Sequence, residues 1–166
     1  EKVSDRQVRD EWKPLWGKRA VVEDHFNELV IDLLNPAGQP QRMQLVVRGY
    51  NDGFAFCYKI PEGEGERVNV QSELTGYNFA GDYTAWFYNG ENHNIGPEKL
   101  TETDGTRLPV MTVKAGVNHY MAIHEACLET GAPLVLQSKG RESLFSVASK
   151  PACLSPGSVS YTHLTL

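Results

Sequence analysis

Two adjacent residues, His124 and Glu125, have side chains that could bind a metal ion. Successive side chains of a β-strand point to opposite faces, so both could bind one ion only where the strand bends. Taken alone, the pair is better explained as a solvated glutamate beside a hydrogen-bonded histidine. A small independent enzyme built on this pair is disfavoured, because no nucleophile or second acid accompanies it.

Two further features could bind a ligand. Trp86 and Tyr88 are two residues apart in a strand-like run, so they would share a face and could stack on a sugar ring. Packing in the core is the simpler interpretation of this pair. The acidic stretch at 62–66 predicts a solvated turn, because its spacing matches no known calcium loop.

The sequence contains no self-contained catalytic signature. It lacks a GxSxG elbow, a Walker loop, a GxGxxG turn, an HExxH helix and an EF-hand loop. A hydrolase that works with a pair of carboxyl groups is not excluded, because its two acids come from separate elements.

Composition narrows the class of protein. The chain of 166 residues has a formal net charge of −5, whereas a general nucleic-acid binder would carry a basic stripe. Its 40% of hydrophobic residues suffice for the core of one globular domain. No apolar run approaches the length that spans a bilayer. We therefore expect neither a nucleic acid nor a membrane as a partner.

The three cysteines are Cys57, Cys127 and Cys153. They are odd in number and form no CxxC pair, so neither a disulfide framework nor a zinc site is indicated. We expect them to be small buried hydrophobic residues.

The pattern of hydrophobic residues is that of β-strands. Short runs rich in β-branched and aromatic residues are bounded by Gly, Pro, Asn or Asp, and no long helical period is present. The segment 1–19 predicts a loop held by its two tryptophans. The fold class is therefore all-β, an antiparallel sandwich. Strands are predicted over 29–34, 42–50, 54–60, 68–70, 83–88, 110–113, 120–124, 134–137 and 144–147.

Two turns are specified locally. Asn35-Pro36-Ala37-Gly38 predicts a turn after the first of these strands, because proline fixes φ and glycine accepts a positive φ. Asn51-Asp52-Gly53 predicts a hairpin, with Gly53 able to take the left-handed conformation. In the second arm of that hairpin, alternation places Phe54, Phe56, Tyr58 and Ile60 on one face and Ala55, Cys57 and Lys59 on the other.

Four strings of unusual composition occur in a fixed order. They are Trp12-Lys13-Pro14-Leu15-Trp16-Gly17, Asn27-Glu28-Leu29, Arg48-Gly49-Tyr50-Asn51-Asp52-Gly53 and Ile123-His124-Glu125-Ala126. In this order they resemble the N-terminal domain of glycoside hydrolase family 97, a family of bacterial α-glucosidases and α-galactosidases. The resemblance covers most of the chain, from about residue 12 to about residue 157.

The resemblance implies a three-part enzyme. Its parts are an N-terminal β-super-sandwich of galactose-mutarotase-like fold, a catalytic (β/α)8 barrel and a small C-terminal β-domain. Residues 1–158 would be part of the sandwich, truncated at both ends. The general acid and the base or nucleophile belong to the barrel, so no catalytic residue is assigned in this chain, and its substrate-binding residues are unknown. An α-linked oligosaccharide substrate and a periplasmic or secreted location are implied by the family alone.

The resemblance also implies a role for Glu125. In the family, the matching glutamate reaches the mouth of the barrel and joins barrel glutamates around a calcium ion. Calcium takes six to eight oxygen ligands, so one carboxylate would hold it weakly. We therefore expect a calcium site only in the full-length enzyme, with Glu125 as this chain's ligand.

The last eight residues, 159–166, resemble a translated sequencing adapter and are expected not to be natural protein. A sandwich without its partner strands would expose unpaired edges, so the isolated fragment is expected to be unstable or prone to aggregation. The alternative function is a carbohydrate-binding or interaction sandwich that acts alone, without catalysis.

Overall fold

The structure is a computed structural model, and it describes residues 2–38, 40–60, 68–70, 73–88, 94–128, 134–138, 144–147, 152–154 and 159–165. All the regular elements of these residues are strands, which confirms the all-β prediction. No helix in this part of the chain has the length and hydropathy needed to cross a bilayer. The strands are β1 (Lys2–Trp12), β2 (Val22–Leu34), β3 (Pro40–Tyr50), β4 (Gly53–Lys59), β5 (Val68–Val70), β6 (Gly76–Asn78), β7 (Thr84–Tyr88), β8 (Asn94–Lys99), β9 (Thr106–Lys114), β10 (Tyr120–Leu128), β11 (Leu136–Ser138), β12 (Leu144–Val147), β13 (Ala152–Leu154) and β14 (Val159–Thr165).

Twelve of these strands belong to one hydrogen-bonded network in which every pairing is antiparallel. Its path runs β1-β2-β3-β4-β14-β10-β9-β11-β12-β6, while β7 pairs with both β8 and β9. The remaining two strands, β5 and β13, pair with each other. Strand β9 takes part in three pairings: its first residues bond to β11, and the rest of it bonds to β7 and β10.

The main core lies against one face of β7, β9 and β10. Its buried side chains are those of Ala85, Phe87, Leu100, Met111, Val113, Ile123, Leu134 and Leu136. Tyr77 of β6 packs against this cluster and also lies 6.5 Å, ring to ring, from Phe56 of β4. The segment that carries β6 thus covers the same face of the large sheet, which gives the layered arrangement expected of a sandwich.

Both predicted turns form. The amide of Gly38 donates to the carbonyl of Asn35 at 2.8 Å, and Gly38 has a φ of 75°. In the hairpin, Tyr50 pairs with Gly53, so the loop is Asn51-Asp52 alone. The expectation that Gly53 takes the left-handed conformation is wrong, because Gly53 is the first residue of β4 and has no positive φ.

The alternation along β4 is confirmed, and its buried face is the one with small side chains. Ala55 and Cys57 are 3% and 1% exposed, whereas Phe54 and Tyr58 are each 37% exposed. Cys57 is buried, as predicted. The side chains of Cys127 and Cys153 lie outside the described part of the structure.

The prediction that residues 1–19 form a loop is wrong for residues 2–12, which form β1. This strand is almost entirely exposed and pairs along β2 from Lys2 to Trp12. Charged side chains suit an exposed edge strand, because they discourage pairing with other chains. With so few hydrophobic residues, the segment lacks the apolar alternation by which strands are found in a sequence.

Four further strands, β6, β8, β13 and β14, are absent from the predicted ranges. Strand β8 contains Gly96 and Pro97, both of which disfavour a strand in sequence-based reasoning. Among the described strands it pairs only with β7, so proline lies on an edge where its missing amide is tolerated. Strand β14 lies between β4 and β10. The expectation that residues 159–166 are not natural protein stays a prediction, since forming a strand does not decide it.

A buried carboxylate joins three strands at one end of the sheet. The oxygens of Glu28 accept hydrogen bonds from Nε of Arg6 and Nε of Arg48, each at 2.7 Å. Glu28 is 8% exposed, and it lies directly opposite Arg6 on β1 and Arg48 on β3. Arg48 also covers the ring of Phe26, with its Cζ 4.5 Å from the ring centroid. Burial raises the pKa of Glu28, but the two arginines outweigh it and hold that pKa below its ordinary value of 4.5.

We expect Glu28→Gln to destabilise the domain by roughly 1–3 kcal/mol, because two arginines lose a charged acceptor. A group whose pKa is lower in the folded state stabilises fully above its unfolded pKa, near 4.5, and loses that contribution as the pH falls through the folded pKa. Urea unfolding should therefore show that the parent chain loses stability between neutral and acid pH. The Glu28→Gln variant should lose less over the same pH range. The exposed Glu11→Gln serves as the control. Equal pH dependence in all three proteins would contradict this assignment.

Gly96 marks the closest approach of β8 to β7. Its φ is 119°, and a Cβ added there would lie 2.5 Å from the carbonyl oxygen of Ala85 and 3.0 Å from Cα of Trp86. Backbone atoms cannot move aside as a flexible side chain can. Only glycine therefore fits at this position without strain.

We expect Gly96→Ala to destabilise the domain by at least about 2 kcal/mol, since both the clash and the left-handed φ oppose a side chain. Gly49→Ala is the matched control: Gly49 lies in β3, has no positive φ and has open space where its Cβ would be. The control should change stability by less than about 1 kcal/mol. Similar urea midpoints for the two variants would refute this account of Gly96.

Candidate functional site

Glu125 lies on β10, beyond the buried Ile123. It is opposite Thr162 of β14, which in turn is opposite Phe56 of β4, so Glu125 is on the same face of the sheet as Phe56. The pairing of β10 with β14 then shifts by one residue between Glu125 and Cys127, which leaves Ala126 as a bulge. Bulges re-aim side chains and are common beside functional sites.

The carboxylate of Glu125 has a structural partner. Its Oε2 accepts a hydrogen bond from the amide of Leu134 at 3.1 Å. Leu134 is 4% exposed and belongs to the core, two residues before β11 begins. Glu125 thus fixes the start of a core segment as well as lying at the predicted metal position.

His124 lies on the opposite face, as alternation predicts. It is opposite His163 of β14, and His163 is opposite Ala55 of β4. The bulge follows Glu125 and does not bring His124 round to the same side. The two side chains therefore cannot both bind one ion at this point of the strand.

The described residues do not form a complete metal site. None of them belongs to a group of three or more His, Cys, Asp or Glu side chains that could hold an ion. One carboxylate has the right chemistry for calcium but supplies only one of the six to eight oxygens that the ion takes. The acidic stretch 62–66 lies outside the described residues.

Trp86 and Tyr88 share the face of β7 that points away from the core. The core takes Ala85 and Phe87, which are 0% and 1% exposed, whereas Tyr88 is 42% exposed and Trp86 is half-buried. The interpretation of the pair as core residues is therefore wrong for Tyr88. Trp86 instead approaches Tyr120 of β10, with ring centroids 6.5 Å apart and planes inclined by 39°.

Sequence reasoning missed Tyr120 and Lys114 as neighbours of Trp86. Lys114 ends β9, Tyr120 begins β10, and the two are directly opposite each other. The ammonium group of Lys114 lies 5.8 Å from the centroid of the Tyr120 ring. The local signal was a short turn between two β-rich runs, but only the pairing of β7 with β9 brings Trp86 to them.

Comparison with known proteins places this geometry in a family. The family model described as Glycosyl-hydrolase 97 N-terminal matches residues 1–157. The fold is similar to that of a glycoside hydrolase family 97 enzyme from Pseudoalteromonas sp. strain K8, solved in complex with acarbose and also with panose. Both comparisons give a TM-score of 0.83 at 21% identity, over 98% of this chain and 26% of the other.

A beta-arabinopyranosidase has the same degree of structural similarity. Its TM-score is 0.83 at 16% identity, over 98% of this chain and 30% of that one. At such identities these structures show a shared fold. The chain spans less than a third of the length of each of these solved proteins.

Two substitutions of Glu125 can separate its hydrogen bond to Leu134 from its predicted role as a metal ligand. We expect Glu125→Ala to destabilise the domain by about 1–2 kcal/mol, because the buried amide of Leu134 loses its acceptor. Glu125→Gln keeps a side-chain oxygen there, so its stability should stay within about 0.5 kcal/mol of the parent chain. Urea unfolding of both variants tests this. Equal losses for Ala and Gln would show that the hydrogen bond to Leu134 is not what Glu125 contributes.

Proposed function

Because the chain belongs to the glycosyl-hydrolase 97 N-terminal family, we propose that it is the N-terminal sandwich of an exo-acting α-glycosidase. The parent enzyme would hydrolyse α-glucosides or α-galactosides in a catalytic (β/α)8 barrel outside this chain. The observation that carries the proposal is the family match over residues 1–157, together with an all-β fold shared with family 97 enzymes.

The solved proteins of similar fold differ in the sugars that they bind or act on. The Pseudoalteromonas enzyme was solved with acarbose and with panose, whereas another protein of the same fold is a beta-arabinopyranosidase. A fold therefore does not fix the sugar, and function depends on the site. We keep an α-glucoside or α-galactoside as the proposed substrate because the four strings of residues resemble a family of α-glucosidases and α-galactosidases.

In the proposed enzyme the bond is cleaved by two carboxyl groups through an oxocarbenium-like transition state. Neither group is assigned to this chain, because both belong to the barrel in the resembled family. The sandwich contributes binding and positioning. We place the enzyme in the periplasm or outside the cell, as the family resemblance implies.

Glu125 is the proposed contribution of the sandwich to a calcium site shared with the barrel. The chemistry of the residue fits, because calcium prefers carboxylate oxygens. The Leu134 amide restrains one oxygen of Glu125, and such an outer partner fixes the orientation of a ligand. When bound, calcium would supply a fixed positive charge beside the sugar. One carboxylate does not make a site, so the barrel must provide the other ligands.

The test is a calcium titration of the full-length parent enzyme and its Glu125→Gln variant, with activity on an α-glucoside measured in parallel. We expect calcium affinity to fall at least about tenfold, because the variant loses one anionic ligand. Glutamine keeps the hydrogen bond to Leu134, so the loss would not reflect a change in the fold.

The control is Glu102→Gln, which removes the same charge from an exposed glutamate in the turn after β8. Its calcium affinity should match that of the parent enzyme. If Glu125→Gln retains both calcium affinity and activity, the ligand assignment is withdrawn.

A further inference from the structure

An exposed cluster of aromatic side chains lies on the face of the sheet that points away from the main core. It consists of Trp86 and Tyr88 from β7, Lys114 from β9 and Tyr120 from β10, and we call these four residues the aromatic platform. Tyr88 and Tyr120 are 42% and 49% exposed. The ring centroids of Trp86 and Tyr120 are 6.5 Å apart with their planes inclined by 39°, so the two rings pack beside each other as a tilted aromatic pair.

The register of three strands brings the platform together. Tyr120 of β10 is opposite Lys114 of β9, which is opposite Thr84 of β7. In the next row, Ala122 is opposite Thr112, which is opposite Trp86. Directly opposite residues share a face, so both rows lie on the same side of the sheet.

The two rings are held in place by their surroundings. A Cβ on Gly96 would lie 3.0 Å from Cδ1 of Trp86, so the backbone of β8 already abuts the indole. Lys114 lies over the ring of Tyr120, 5.8 Å from its centroid. A surface formed before its ligand arrives loses less entropy on binding than one that must be ordered.

The chemistry of the platform is mixed. The same two rows as the rings also carry the hydroxyls of Thr84 and Thr112 and the ammonium group of Lys114. A pyranose has this combination, with C–H groups on its faces and hydroxyls around its edge. A protein interface centre would instead be depleted of charged groups.

We propose that the aromatic platform is a binding site for an α-linked gluco-oligosaccharide. The rings of Trp86 and Tyr120 stack on successive sugars, while Lys114 donates to their hydroxyls. The choice of α-linked glucose rests on the proposed function. Such a site would hold an oligosaccharide against this face of the sheet.

The experiment is a ligand-observed NMR titration of this 166-residue chain with maltotriose. We expect saturation transfer to the sugar protons and an affinity that falls about fivefold to tenfold in Tyr120→Ser and in Trp86→Phe. The matched control is Tyr58→Ser, which removes a tyrosine of similar exposure from the opposite face of the sheet. Cooperative melting of the parent chain and of each variant, recorded before the titration, checks that the protein titrated is folded.

The inference is overturned if maltotriose binds Tyr120→Ser and Trp86→Phe with unchanged affinity. It is also overturned if Tyr58→Ser loses as much affinity as they do, or if the parent chain does not bind maltotriose. A second measurement covers a variant that fails to fold: Lys114→Gln changes only the half-buried cation and should weaken binding about twofold to fivefold. Cellotriose, the β-linked trimer, should bind more weakly than maltotriose. Equal binding of the two trimers would refute the α-linked class.

Failure of this inference is distinguishable from failure of the proposed function. The titration uses a chain to which no catalytic residue is assigned, so it reports sugar binding without cleavage, and the Tyr120 and Trp86 variants show whether the platform is the site. An active, calcium-dependent α-glycosidase whose sandwich ignores maltotriose overturns only the inference. Binding at the platform in a parent that cleaves no α-glycoside overturns only the proposed function.

Discussion

The pairing of β9 with three other strands is the constraint on which the domain depends. Thr106 and Arg107 bond to β11, whereas residues 111–114 bond to β10 on one side and, in part, to β7 on the other. One strand therefore belongs to both layers of the sandwich, and Met111 and Val113, each 0% exposed, occupy the core where the layers meet. Displacement of β9 would separate the core segment that contains Leu134 and Leu136 from the strands that contain Trp86 and Tyr120.

Local chemistry made part of this fold predictable. The turn at Asn35 and the hairpin after Tyr50 follow from a few residues whose backbone preferences act within four positions. Strand β1 was missed because its charged, exposed residues carry no hydrophobic alternation, and β8 because Gly96 and Pro97 look like strand breakers. Both strands are held by pairing with a neighbour, and a pairing partner is not encoded in the strand itself.

The candidate sites, like the strands, were predictable from the sequence only where the signal is local. Sequence reasoning placed His124 and Glu125 on opposite faces, because alternation is a local property. It could not find the contact between Glu125 and Leu134, which crosses an intervening segment, or the approach of Tyr120 to Trp86, which depends on the registers of β7, β9 and β10. The proposed role of Glu125 at a calcium ion comes from resemblance alone, because a single carboxylate in this chain does not by itself indicate a site whose other ligands would lie in another domain.

The ion pairs around Glu28 also determine which residues of three strands lie opposite one another. Arg6, Glu28 and Arg48 occupy a single row, and sliding any one strand by one residue would turn its charged side chain to the other face of the sheet. Hydrophobic contacts alone tolerate such slippage on long, exposed strands like β1. A buried charge does not, because a misaligned pairing leaves it without a counterion. The ion pairs of Arg6, Glu28 and Arg48 therefore favour one alignment of the first three strands over the alignments shifted by one residue during folding.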